Sequence, residues 1–288
     1  MKLRLTTTLF ATTLAAAAAL SMGKAIAQDW GPQVSANDVH PKIKDLGNAL
    51  GMIRSTELFF GQLNLIEIVG SGRMVDIEVG TLGEPVEVSR FTYAASFYFP
   101  ASRLDYEGPN LARKVRVVRG ERAWDEEAPG VNPTDASNAV LRRAQIFLLP
   151  HAFARAAAFG DVGKCPDGNE CQVSVEVSEE NGKTLISLPI YDIPYTATLG
   201  EDNRPERIEA DVPMPDGSTK TIIATFASYR NGDGIGEALD KFHSGTYFPA
   251  SINHEIDGTK VLEITVEEGW SNPYVIFPEP EKLTQAKQ

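Results

Sequence analysis

Residues Val115–Gly160 read VRVVRGERAWDEEAPGVNPTDASNAVLRRAQIFLLPHAFARAAAFG, and this stretch decides the fold. It opens as a strand ending at Gly120, carries Trp124 ahead of an acidic loop, and closes with the chain's longest helical pattern. Ala136, Ala139, Val140, Ala144, Phe147 and Leu148 recur at the spacing of a helix, behind Thr134 or Asp135 as cap. Pro150 lacks the amide that an unbroken helix needs. Two short helices meeting at an angle are therefore expected, the second over 151–159 and ended by Gly160.

Strand-like segments lie on both sides of this helical piece. Upstream, Leu63–Val69 is apolar and largely β-branched. Gly70-Ser71-Gly72 reads as a turn into a second strand over Met74–Val79, where Val75, Ile77 and Val79 alternate with acids. The longest alternating run follows, placing Phe91, Tyr93, Ala95, Phe97 and Phe99 on one face of a strand. Downstream, Asn181-Gly182, Asp216-Gly217 and Asp257-Gly258 each separate two strand-like runs, and such pairs supply the positive φ of tight antiparallel turns. Before all this, Ile43, Leu46, Leu50 and Ile53 share a helical face behind Asn37 or Asp38. The expected fold class is α+β, mostly antiparallel β. It is a curved sheet or half-barrel wrapped around a kinked helical plug, with one N-terminal helix.

Residues 1–27 read as an export signal: Lys2 and Arg4, an apolar run over Leu5–Met22, then Ala25-Ile26-Ala27 as a cleavage site. That run is rich in Thr and Ala, a poor span against the ~20 strongly apolar residues a bilayer requires. Cleavage removes 27 of the 288 residues and leaves 261, expected as one β-rich domain over 28–288 with a polar tail at 281–288. The formal charge is −12, and loss of Lys2, Arg4 and Lys24 takes it to −15, which excludes a phosphate backbone as partner. Cys165 and Cys171 are the two cysteines, and in an oxidising periplasm they read as one local disulfide around Pro166–Asn169.

No catalytic motif stands out. The histidines His40, His151, His243 and His254 form neither HxH nor HExxH. His151 reads as a packing residue at the helix break, and His254 as part of a solvated hairpin. Ser71 and Ser244 sit in turn-like contexts and lack a nucleophile elbow. Asn231–Gly236 fails both phosphate-loop and calcium-loop spacing. The acidic groups Asp125-Glu126-Glu127, Glu179-Glu180 and Glu267-Glu268 read as solvated edges or turns. No metal and no cofactor is expected.

An export signal, a leading helix, antiparallel strands, a mid-chain helical plug and closing hairpins together resemble the periplasmic lipoprotein-carrier half-barrel family (LolA- and LppX-like). VVRGERAW, RRAQIFLLPHAFARAA and TYFPASINHEIDGTKVLEITVEEGWSNP are also similar to a β-rich region preceding some exported metallo-β-lactamase-fold hydrolases, through Gly120, Ala123, Trp124, Pro150 and His151. The carrier resemblance implies a half-barrel that shelters acyl chains and performs no chemistry.

The functional expectation is a periplasmic, non-catalytic binding or carrier protein for a hydrophobic ligand or a lipidated partner. Phe91, Tyr93, Phe97, Phe99, Trp124 and Phe147 are the expected lining residues. The alternatives are a protein-interaction module with a filled core and, last, a hydrolase dependent on His151 and His254.

Overall fold

A computed structural model describes residues 32–53, 59–60, 63–77, 84–231, 245–281 and 283. The stretch read as an export signal, Val79, and residues 232–244 with His243 and Ser244 lie outside the described residues.

In chain order the first elements are β1 (Val34–Ser35), α1 (Pro41–Ala49), β2 (Phe59–Phe60), β3 (Leu65–Met74) and β4 (Val86–Ser96). Next come β5 (Ala101–Gly108), β6 (Leu111–Arg119), β7 (Arg122–Glu126), β8 (Thr134–Ala136), α2 (Ala139–Phe147) and α3 (Pro150–Asp161). The second half holds β9 (Glu176–Glu180), β10 (Lys183–Ile190), β11 (Ile193–Leu199), β12 (Pro205–Pro213) and β13 (Thr219–Ala227). It ends with β14 (Arg230–Asn231), β15 (Tyr247–Phe248), β16 (Ser251–Ile256) and β17 (Thr259–Ser271).

Thirteen strands form one antiparallel sheet in the order β8-β7-β6-β5-β4-β3-β17-β16-β13-β12-β11-β10-β9. The order follows the chain except at one seam, where β3 pairs with the far C-terminal β17. That seam zips two meanders into a single open, curved half-barrel. Its edges are β8 and β9, the two strands that flank the helices in sequence. The chain therefore leaves one edge, runs over the inner face as α2 and α3, and enters again at the other edge.

Both edges resist further pairing. β8 is three residues long, and β9 reads EVSEE with mostly exposed side chains, so added strands would meet a row of carboxylates.

The expected hairpins form at Asn181-Gly182 and Asp257-Gly258, all four residues at left-handed φ, and at Asp216-Gly217, where Gly217 has φ 83°. A fourth tight turn carries no glycine: Tyr191 and Asp192 adopt φ of 49° and 64° between paired Ile190 and Ile193. Positive φ is costly for tyrosine. Here the ring is held by Phe147, 5.7 Å away centroid to centroid, and by the Arg143 guanidinium 4.9 Å from its centroid.

Pro150 breaks the helical run as expected, and it serves as the first residue of α3. Three details differ. Asn138 caps α2, because Thr134–Ala136 is consumed by β8. Gly160 lies inside α3, which ends at Asp161 with Gly163 at φ 74° just beyond. His40 caps α1: its Nδ1 accepts from Lys42 N at 3.2 Å, and its own amide donates to Asp161 Oδ2 at 2.6 Å.

Gly70-Ser71-Gly72 is not a turn. β3 runs straight through it, with register shifts against both β4 and β17. The glycines are required by close approach: a Cβ on Gly70 would sit 2.3 Å from the Thr265 carbonyl oxygen, and one on Gly72 1.9 Å from that of Glu263. Val75 and Ile77 consequently follow β3 outside any strand.

Cys165 and Cys171 are disulfide-bonded, with Cα atoms 5.1 Å apart. The loop they close supplies the Pro166 carbonyl to Arg155 Nε at 3.2 Å. Arg155 is fully buried in α3, and burial pulls its guanidinium down to about 10. The loop thus braces the helix as well as the turn.

Reducing this disulfide is expected to lower unfolding stability by about 2 kcal/mol, the chain-entropy value for so short a loop. Urea denaturation with and without reductant checks it; an unchanged midpoint would refute the bracing role.

Candidate functional site

Inward-pointing residues of β3, β4, β5, β16 and β17 enclose a cavity of ≈ 70 Å³ against α2. Strand period two explains the wall. Ile68 and Met74 alternate inward on β3, Phe91 and Tyr93 on β4, and Ile252 and His254 on β16. α2 contributes Arg142 and Gln145, and Leu149 follows from the helix break.

The charged wall residues are already engaged. Arg116 is buried, forms an ion pair with Asp76, and lies 5.4 Å from the Tyr106 ring centroid. Arg142 is buried, donates through Nη1 to the Val117 and Trp124 carbonyls at 3.1 and 2.8 Å, and pairs with Asp125. Burial pushes the Asp125 carboxyl up, but Arg142 and Lys114 outweigh it and hold it below its ordinary value.

The uncharged wall residues are different. The Tyr93 hydroxyl and His254 Nε2 are shut off from solvent; the hydroxyl lies against the Ser102 side chain, and Nε2 has no hydrogen-bond partner among the described residues. Burial raises the Tyr93 phenol well above its usual value, so it stays protonated. Burial also lowers His254 to about 4, which leaves its imidazole neutral at pH 7.

Of the residues expected to line a cavity, Phe91 and Tyr93 do. Phe97 and Phe147 are buried inner-face residues that do not border it; Phe147 packs instead on Tyr195, 6.4 Å away. Phe99 does not share the face of Phe91. β4 stops at Ser96 ahead of Pro100, which has no amide for the ladder, and the turn leaves Phe99 38% exposed beside Arg119. Trp124 lies on the opposite face of the sheet, in a small cluster with Val115, Val117 and Leu283.

Two polar readings are corrected as well. His254 is not in a solvated turn. It stands two residues from Ile252 and Ile256 in the same inward set, a periodicity visible in the sequence. The acidic run 125–127 is partly structural: Glu126 is buried and accepts from Trp124 Nε1 at 2.8 Å and Gly130 N at 2.7 Å. Arg116 and Arg142 were missed, since an arginine inside an apolar strand or helix reads as its solvated position. His151 is fully buried and donates through Nε2 to the Tyr247 carbonyl at 2.9 Å.

Among the described residues no group of three or more His, Cys, Asp or Glu could hold a metal ion, and no helix is long and apolar enough to cross a membrane. The chain matches no family model, and no curated protein matches it.

The His254 shift has a consequence for stability. Unfolded, the imidazole titrates near 6.5; folded, near 4. Between these values the unfolded chain binds more protons, so stability falls as pH drops through the window, by up to about 3 kcal/mol from this group. His254→Gln should show a correspondingly shallower loss between pH 6.5 and 4 in chemical denaturation. An identical slope in both proteins would contradict the buried, neutral imidazole.

Proposed function

We propose that the protein is a periplasmic, non-catalytic binding or carrier protein for a hydrophobic ligand of acyl-chain type, free or attached to a partner. The carrying observation is the cavity between inner sheet face and α2, walled by Ile68, Phe91, Leu104, Ile252, Val261 and Ile264. Ligand sites are typically such apolar enclosures with a few placed polar groups. At ≈ 70 Å³ the cavity is about half the ~150 Å³ hollow that takes up a benzene ring, which leaves room for about three carbons. That suits a short acyl group or the end of a longer one, with the remainder outside.

A second reading, a protein-interaction module, is favoured by the outer face. Tyr274 is 96% exposed and Ile276 59% exposed, beside an open groove of ≈ 720 Å³ bordered by Pro129, Pro133, Pro278 and Pro280. The two readings separate by site: ligand uptake depends on the inner wall, and partner capture on the outer strap.

Burial of each methylene is worth ~0.8 kcal/mol, so affinity for a homologous series should climb about fourfold per carbon and level off at about three carbons. Leu104→Trp fills the space and should weaken binding by roughly tenfold or more with the circular dichroism unchanged. Calorimetric titration of both proteins checks this; equal affinities would mean that the guests bind elsewhere.

A further inference from the structure

The outer face of the sheet carries a cation that the fold leaves unmatched. Arg103 lies on β5 between Ser102 and Leu104, which border the inner cavity, so strand alternation turns it to the other side. Among the described residues it is the one arginine with neither a hydrogen bond nor an ion pair. Its Nε is buried, whereas its two terminal nitrogens are not, so an incoming group reaches them. The nearest carboxylates are taken. Asp105 is held by Arg90 and Arg113. Glu126 accepts from Trp124 and Gly130, and Glu279 from Arg122. A half-buried guanidinium with no counter-ion is unfavourable, and a guest carboxylate supplies what the chain does not.

Arg103 stands where two grooves meet. One, of ≈ 720 Å³, lies between the loop at Pro129–Pro133 and the strap over 276–281. The other, of ≈ 370 Å³, is bordered by Thr92, Ala94 and Tyr274. Arg103, Pro129 and Ile276 line both, so the two are limbs of one channel. Each limb also holds a carboxylate without a partner among the described residues. Glu67 borders the smaller limb; it pairs in register with Ala94, and Ala94 with Arg103, which sets Glu67 ~10 Å from Arg103 across the strands. Burial and the neighbouring Glu268 carboxylate raise the Glu67 carboxyl above its ordinary value, as expected for an acid short of a cation. Glu281 is exposed in the larger limb. Along the channel the free charges therefore run negative, positive, negative.

We propose that this channel binds an extended peptide segment of a partner in which one acidic residue stands between two basic ones, the acid on Arg103 and the basic residues on Glu67 and Glu281. This rests on the partner-capture reading of the outer strap and owes nothing to the inner cavity. One guanidinium flanked by carboxylates accepts a single negative charge and repels a row of them, which disfavours a nucleic acid or an anionic bilayer. The chain's charge of −12 draws a mostly basic segment toward it. Alternate side chains of an extended segment share one face ~7 Å apart, so a basic-x-acidic-x-basic order matches the channel, with the long basic side chains covering the remaining distance. The residues between are apolar in the best guests, since Val131 and Ile276 are exposed on the rim.

The test titrates acetylated, amidated Lys-Val-Glu-Val-Lys into the full chain, beside Lys-Val-Gln-Val-Lys and the charge-inverted Glu-Val-Lys-Val-Glu. Calorimetry and the ¹⁵N resonance of Arg103 Nε follow the binding. The first peptide should bind about fivefold more tightly than the glutamine peptide and move the Nε resonance, and the inverted peptide should bind most weakly. Arg103→Gln removes no hydrogen bond or ion pair, so the circular dichroism should be unchanged, and this variant should bind the two lysine peptides alike. Glu67→Gln should lose roughly threefold for both lysine peptides and keep the preference between them. If wild-type protein does not separate glutamate from glutamine, or takes the inverted peptide equally well, the charge pattern is wrong while peptide capture by the strap stands. If sodium acetate moves Arg103 Nε at the same concentration as the first peptide, the site takes a simple anion and the proposal fails. If none of the peptides binds, peptide capture by this channel fails and the charge pattern with it.

Discussion

A helix with no solvent-facing side must be enclosed, and α3 is such a helix: Pro150 to Gly160 are buried without interruption. Much of the architecture can be understood from that constraint. A flat sheet covers one side of a rod and leaves the others wet. A thirteen-stranded sheet that curls, with α1 packed on α3, covers the rest. The helices also join the two sheet edges, so the rod lies across the hollow of the half-barrel by connectivity as well as by packing. The seam between β3 and β17 closes the arrangement, and its glycine-lined bulge lets the two backbones approach.

The hollow arises where this enclosure changes character. α3 presents mostly alanine and phenylalanine and is buried on every side. α2, on the other side of the Pro150 break, presents Arg142 and Gln145 toward β3 to β5 and β16 to β17. Long polar side chains that reach for carbonyls and carboxylates do not fill the space beside them as leucine would. The same commitments leave the cavity electrically quiet, with a protonated tyrosine and a neutral histidine as its uncharged polar residues. Its two arginines are held in ion pairs with Asp76 and Asp125.

Much of the scaffold was legible in the sequence because its signals are local. Asn181-Gly182 and Asp257-Gly258 need only their own φ preferences to mark hairpins, and Pro150 needs only its missing amide to split a helix. Cys165 and Cys171 pair across a loop too short to offer alternatives. Signals that depend on a distant strand were misleading. Gly70 and Gly72 look like a turn until β17, nearly two hundred residues later, is laid against them. Tyr191-Asp192 turns the chain without glycine because Phe147 and Arg143 hold the ring. The site was legible in half. Phe91 and Tyr93 follow from period two, but Pro100 deflects Phe99, and the second buried face of the sheet claims Trp124. His254 lay in plain alternation with Ile252 and Ile256 and was outweighed by its position near a turn.

Pressurising crystals of the protein with xenon tests the central claim most directly, since a heavy, apolar atom reports a dry, accessible hollow without any assumption about the natural guest. The account predicts a xenon peak between α2 and the inner face, in contact with Phe91, Leu104 and Ile264. Ordered water throughout that space, or continuous side-chain density with no xenon, would contradict it.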